Sequence, residues 1–231
     1  MNKKKSVGVI GCGWLGKPLA QELSKNLHVD CFCRETTKDN SPFWQSDIVI
    51  IAINTKDNYL ETLRKIATLT KPTCNIFLMS SISIYREFDE DVDESFEITQ
   101  SSLIKEAEDL ILSLRENVII LRLGGLMGDD RVAGRWKSAV DFSDGYVNYI
   151  HKDDVINIIK KMIENIVNLG IYNLVAPLHP SRQEIHRKNS QKAGSEIGKF
   201  EGFSKRRVSS DKMIKELNYT FLHPDPLEFW D

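Results

Sequence analysis

The stretch Ser6-Val7-Gly8-Val9-Ile10-Gly11-Cys12-Gly13-Trp14-Leu15-Gly16-Lys17-Pro18-Leu19-Ala20 decides the fold. Ser6–Ile10 is a short apolar run, and the residues from Lys17 to Leu27 carry apolar side chains at helical spacing. Three glycines in a G-x-G-x-x-G pattern therefore stand between a strand and a helix, the context that gives this motif its meaning. Gly11 permits the tight turn, Gly13 lets main chain approach a diphosphate, and Gly16 lets the helix pack closely on the strand. Pro18 is tolerated because the first helical turn has no partner for its missing N–H. The amides around Trp14 and Leu15, at the positive end of the helix, then face the phosphates.

Outward from the loop, short apolar runs alternate with amphipathic stretches, which predicts βαβ units and a mainly parallel sheet. Strands are expected at 28–33, 48–53, 75–80, 118–123 and 171–175. Helices are expected around 59–67, 103–114, 153–166, 183–193 and 211–217. Ile48–Ile53 is almost unbroken apolar sequence and reads as a strand buried on both faces. Asp153 or Asp154 is placed to cap the helix that follows it. The fold class is α/β, a Rossmann-type doubly wound sheet. The chain is expected to form one compact unit, with a dinucleotide-binding core over residues 1–165, irregular at 124–148, and a small C-terminal substrate lobe over 166–231.

The 231 residues include 31 basic and 33 acidic side chains, a formal charge of −2. That balance offers no general attraction to nucleic acid or a membrane surface. No apolar run approaches the roughly 18 residues of a membrane span. The start of the chain, Lys3-Lys4-Lys5 and a run soon broken by glycine, does not resemble a secretory segment. A cytoplasmic protein is expected, able to form oligomers. The cysteines, Cys12, Cys31, Cys33 and Cys74, contain no C-x-x-C pair and read as buried free thiols. No histidine has ligand-like spacing to cysteine or carboxylate, so no metal site is expected.

The end of the second strand bears on which dinucleotide is bound. A site for NAD places Asp or Glu there, on the ribose hydroxyls. This sequence has Cys33-Arg34, with Thr36, Thr37 and Lys38 beyond, while Asp30 falls too early. Arg34 suits a 2′-phosphate, and a charge-assisted bond of about 1.5–3 kcal/mol corresponds to roughly a ten- to hundredfold preference. NADP is favoured over NAD.

The opening Gly11–Ala20 resembles that of extended and atypical short-chain dehydrogenase/reductases, the NAD-dependent epimerase/dehydratase superfamily. Four later segments agree in order. Ser80-Ser81-Ile82-Ser83-Ile84-Tyr85 resembles the Ser-Ser-x-x-Val-Tyr-Gly strand end. Leu121-Arg122 through Gly128 resembles the Leu-Arg segment. His151-Lys152-Asp153-Asp154-Val155 resembles the His-x-x-Asp-Val helix entry, and Tyr172-Asn173-Leu174 matches the late Tyr-Asn-Leu strand.

The resemblance implies an NAD(P)-binding oxidoreductase of the epimerase/dehydratase type, acting on a sugar nucleotide or small carbonyl compound. It puts Ser81 at the hydroxyl that bonds substrate, and Ser80, Asn54 and Thr55 beside the cofactor. His151 reads as a buried or hydrogen-bonded residue. Arg131 and Arg135 could meet an anionic substrate but read more simply as solvated charges. Two departures stand out. Only a dozen residues separate Arg34 from Asp47, so a helix and strand are missing and the sheet is trimmed near strand three. The catalytic Tyr-x-x-x-Lys is also absent. Counted back from Glu108, its places fall on Gln100 and Ile104, with Lys105 one residue late. One residue turns a helical side chain by about 100°, and losing a general acid–base group costs about 10²–10⁴ in rate. Tyr85 and Lys105 are the substitutes to weigh, although Tyr85 reads first as a packing or substrate-contact residue. The alternative is a non-catalytic dinucleotide sensor.

Overall fold

The structure is a computed structural model and describes residues 5–32, 41–56, 58–135, 142–165 and 169–231. The elements run β1 Ser6–Ile10, α1 Gly16–Leu23, β2 His28–Phe32, β3 Ile48–Ile51, α2 Tyr59–Leu69, β4 Asn75–Ser81, β5 Asp91–Val92, α3 Leu103–Leu114, β6 Val118–Leu123, β7 Gly125–Met127, β8 Phe142–Gly145, β9 Tyr149–His151, α4 Lys152–Asn165, β10 Gly170–Leu174, α5 Arg182–Ala193, β11 Phe200–Ser204, β12 Arg207–Val208 and α6 Asp211–Leu217. The first helix is shorter than its apolar spacing predicted, ending at Leu23 rather than Leu27.

One sheet holds six strands in the order β10-β6-β4-β3-β1-β2. β1 pairs in parallel with β2 on one side and β3 on the other, and β3 pairs in parallel with β4. The chain therefore reverses its direction of progress across the sheet at β1. In open α/β sheets, ligands sit at the carboxyl ends of the strands flanking such a reversal. The central strands are buried on both faces, with β3 and β6 buried along their whole lengths. Val49, Ile51, Leu63, Ile66, Leu78, Ile111 and Ile120 belong to one core cluster.

The trimming expected near strand three is present. β2 is the edge of the sheet among the described residues, with His28, Asp30 and Cys31 exposed. Beyond it a 3₁₀ turn, Pro42–Gln45, buries Phe43 and Trp44. The Phe43 ring stacks on Phe32 at 4.6 Å and meets Trp44 edge-on at 5.1 Å. It also lies against Gly8 of β1, where a Cβ would come within 2.5 Å of the ring. Two aromatic side chains thus cover sheet surface on a connection too short for a helix and strand.

The chain divides into two compact units, and not at the linear boundary expected from sequence. The first comprises Met1–Ile84, Ile98–Arg122 and Asn168–Tyr172; the second comprises Tyr85–Glu97, Leu123–Val167 and Asn173–Asp231. The second contains three two-stranded pairings, β7 with β9, β8 with β11 and β5 with β12. It has its own small core of Ala133, Val147 and Ile185, with Met127, Tyr149, Leu227 and Trp230 packed against it. Helix α4, expected in the core, belongs to this unit, and the stretch expected to be irregular supplies β7 and β8. Among the described residues, no helix is long and apolar enough to cross a membrane.

One cysteine reading needs correction. Cys12 and Cys31 are joined as a disulfide, with Cα atoms 6.0 Å apart. Cys12 is half-buried and Cys31 exposed. The spacing of the four cysteines carried no hint of this, because the parallel pairing of β1 and β2 brings together residues 19 apart. Cys74 is free and buried, as expected, and burial pushes its thiol up to about 11.

Candidate functional site

The loop between β1 and α1 sits at the reversal point of the sheet, and its glycines have distinct jobs. Gly11 has φ +100°, a region L side chains avoid, and a Cβ there would lie 2.3 Å from the Ala52 carbonyl oxygen. Its amide donates to the Phe32 carbonyl at 3.0 Å, so the turn is stitched to β2 on one side and pressed against the end of β3 on the other. At Gly16 a Cβ would sit 2.0 Å from the Gly11 carbonyl oxygen, which is the close seating of helix on loop. Gly13 is different. It is exposed, and a Cβ there would meet nothing within 4 Å.

Packing therefore explains Gly11 and Gly16 but gives no account of Gly13. The space beside it is open, and no side chain caps the N-terminus of α1. These are the features a diphosphate needs, so the residues present fit a dinucleotide. Leu15 is buried and anchors the loop, while Trp14 is partly exposed. Asn54 and Thr55 lie exposed just beyond Ala52. Arg34, on which the expectation of NADP rests, falls outside the described residues.

At the end of β4, Ser80 and Ser81 diverge. Ser80 is buried and its hydroxyl donates to Glu108 Oε1 at 2.5 Å. Glu108 also takes Arg122 of β6, Nη2 to Oε2 at 2.7 Å and Nε to Oε1 at 3.1 Å. Ser80 is thus bound into a buried ion pair, and its hydroxyl is committed to a carboxylate rather than to a cofactor. Ser81, half-exposed, accepts the Ser83 amide at 3.1 Å and keeps its own proton to donate.

Neither of the two residues weighed as a substitute acid is placed for that role. Tyr85 is wholly buried, and its hydroxyl lies 3.0 Å from the Asp93 carbonyl oxygen and 3.2 Å from Asn173 Oδ1. A phenol sealed from solvent and held on two acceptors is a structural tie, so Tyr85 leaves the catalytic set. Lys105 of α3 pairs with Asp109 one turn on, at 2.5 Å. Gln100 is exposed in the connection before α3, whose cap is Ser102 accepting the Lys105 amide.

In the second unit, His151 is buried, and burial together with His223 lowers its pKa. Its Nδ1 accepts the Asp153 amide at 3.2 Å, so an imidazole, not an aspartate, caps the start of α4. Asp154 instead accepts the Tyr219 hydroxyl at 2.8 Å and the amides of Leu222 and His223, fastening the C-terminal segment. Ligand atoms of His151, Asp153 and His223 lie within 4.8 Å of one another, a grouping that sequence spacing did not reveal. The His151 lone pair on Nδ1 is already taken by the amide, and the His151 and His223 rings lie 3.8 Å apart, tilted by 38°.

Arg131 and Arg135 are exposed. The arginine that sequence reasoning missed is Arg206. It is half-buried, Nη1 donates to the Tyr85 carbonyl at 2.9 Å, and Nε is buried without a partner among the described residues. Burial lowers its pKa, and the charges of Arg182 and Arg86 lower it further.

No protein-family model matches the chain. It is 26% identical to Protein YeeZ of Escherichia coli K12, over 96% of this chain and 98% of that one. The 269 aligned positions exceed the 231 residues here, so the relative carries segments this chain lacks. Among solved structures, human epimerase family protein SDR39U1 (isoform 2) with NADPH superposes with a TM-score of 0.77. It is 15% identical over 97% of each chain. The dTDP-4-dehydrorhamnose reductase of Bacillus anthracis with NADP gives a TM-score of 0.76 at 17% identity, over 99% of this chain and 96% of that one. UDP-glucuronic acid 4-epimerase of Bacillus cereus with NAD gives 0.76 at 17% identity, over 97% and 96%. This chain therefore has the Rossmann-type fold shared by NAD(P)-binding epimerase and reductase structures.

Proposed function

We propose that the protein is a member of the epimerase/dehydratase superfamily that binds NADP at the Gly11–Gly16 loop. In this reading it acts as an oxidoreductase on a sugar nucleotide or small carbonyl compound. The observation that carries the reading is the open space at Gly13 beside an uncapped helix, in a loop whose other two glycines are dictated by packing. When bound, the nicotinamide supplies or takes a hydride. The chain's own part is to hold the diphosphate on main-chain amides and to donate a hydrogen bond from the Ser81 hydroxyl to a substrate oxygen. Within the second unit, Arg206, half-buried with two like charges nearby, favours an anion, since a phosphate would relieve both its desolvation and that repulsion.

A second reading is favoured by one specific finding. With Tyr85 sealed, Lys105 paired and Gln100 in the tyrosine's place, the described residues supply no evident general acid. A dinucleotide sensor without turnover needs none. Thermal shifts with NADPH, NADH and neither test the shared claim; ligand at a hundredfold excess over Kd adds about 2.7 kcal/mol. If neither coenzyme raises the melting temperature, both readings fail. Arg34→Ala should erase a preference for NADPH. A reaction abolished by Ser81→Ala with coenzyme binding intact would eliminate the sensor.

A further inference from the structure

Cys12 lies between the first two glycines of the loop, and Cys31 is the penultimate residue of β2. The bond between them therefore runs from the loop to the carboxyl end of the neighbouring strand. In a Rossmann unit the adenosine ribose occupies the region next to that strand end. Parallel pairing sets Val9 opposite Cys31, so a side chain from residue 12 reaches β2 only by crossing the mouth between the two strand ends. The bonded sulfurs stand in that mouth, and residue 12 loses its freedom to move with the loop. Cys31 is exposed, so a small thiol or disulfide can reach the pair.

We infer that Cys12 and Cys31 form a thiol–disulfide modification site whose oxidation obstructs the adenosine end of the dinucleotide site, leaving the open diphosphate space at Gly13 in place, and whose reduction frees it. The inference rests on the dinucleotide reading above. The oxidant class is a low-molecular-weight disulfide such as oxidised glutathione. One cysteine thiolate attacks a glutathione sulfur, forming a mixed disulfide and releasing one glutathione thiolate. The second cysteine attacks the protein sulfur of that mixed disulfide and releases the other. The protein dithiol loses two electrons and two protons, and one oxidised glutathione becomes two reduced ones. Dithiothreitol reverses the exchange. Cys74 is buried and its thiol stays protonated at neutral pH, so it takes no part.

The test is an NADPH titration of the full chain after dithiothreitol and after oxidised glutathione, with the bond mapped by mass spectrometry. Oxidation is expected to weaken binding by about tenfold or more, or 1.4 kcal/mol, and dithiothreitol to restore it. Cys31→Ser should bind equally in both conditions, while Cys33→Ser should keep the redox dependence. A mapped 12–31 bond with unchanged affinity would overturn the inference and leave the dinucleotide reading standing. So would failure of the bond to form, or a Cys31→Ser variant that still responds. If NADPH and NADH bind in neither state, the dinucleotide reading itself falls and takes this inference with it.

Discussion

Arg122 and Glu108 form a two-point ion pair inside the first unit, with 5% and 2% of their side chains exposed. β6 supplies the guanidinium and α3 the carboxylate, while Ser80 at the end of β4 donates the third bond. Three elements are thereby fixed in register directly behind Ser81. Removing one charge leaves the other buried without its counter-ion, which costs about 3–5 kcal/mol. Glu108→Ala and Arg122→Ala should each lower stability on that scale in denaturant unfolding. Glu108→Leu combined with Arg122→Met should recover much of the loss. Additive losses in the double variant would show that the pair acts through packing instead.

The three loop glycines should separate binding from folding. Gly11→Ala and Gly16→Ala force a Cβ into backbone oxygen at 2.3 and 2.0 Å, so both should melt at lower temperature without ligand. Gly13→Ala meets nothing in the protein and should melt like the parent, yet lose coenzyme. Unchanged NADPH affinity in Gly13→Ala would remove the diphosphate from that position.

Tyr85 gives a prediction of the opposite kind. Tyr85→Phe withdraws the donor serving the Asp93 carbonyl and Asn173, so stability should fall by about 1–3 kcal/mol. Any turnover, measured well below the melting temperature, should survive. Loss of turnover in a folded Tyr85→Phe protein would restore the catalytic role that its burial argues against.

His186 sets an acid limit. Burial pushes its pKa down to about 4, against an ordinary 6.5. Above pH 6.5 both folded and unfolded chains hold it neutral, and it makes no difference. Between 6.5 and 4 only the unfolded chain takes up the proton, so stability declines as pH falls, by up to about 3 kcal/mol. His186→Gln should flatten the melting temperature across that window. An equally steep decline in the variant would place the sensitivity on other groups.

Much of the first unit was legible locally. β1, β6 and α3 have the limits their apolar patterns predicted, and the G-x-G-x-x-G stretch lies where strand meets helix, because those signals are carried by neighbouring residues. The trimmed edge was legible too, from the short interval between Arg34 and Asp47. Pairings between distant residues left no such trace. Nothing near Cys12 announces Cys31, nothing near Arg206 announces a desolvated guanidinium, and the reach of Asp154 to Tyr219 and Leu222 depends on how the chain returns. The aspartate cap failed for a local reason: His151, one position before the helix, offers its own ring nitrogen first.

The alternation of the chain between its two units bears on how it is made. Six successive segments change unit at each step, and the short piece Asn168–Tyr172 completes the first unit only after about half of the second has been synthesised. The first unit cannot be completed until Tyr172 has left the ribosome, and a truncation at any peptide bond before that residue would leave both units incomplete. Products that end before Tyr172 would be degraded rather than accumulate as working fragments.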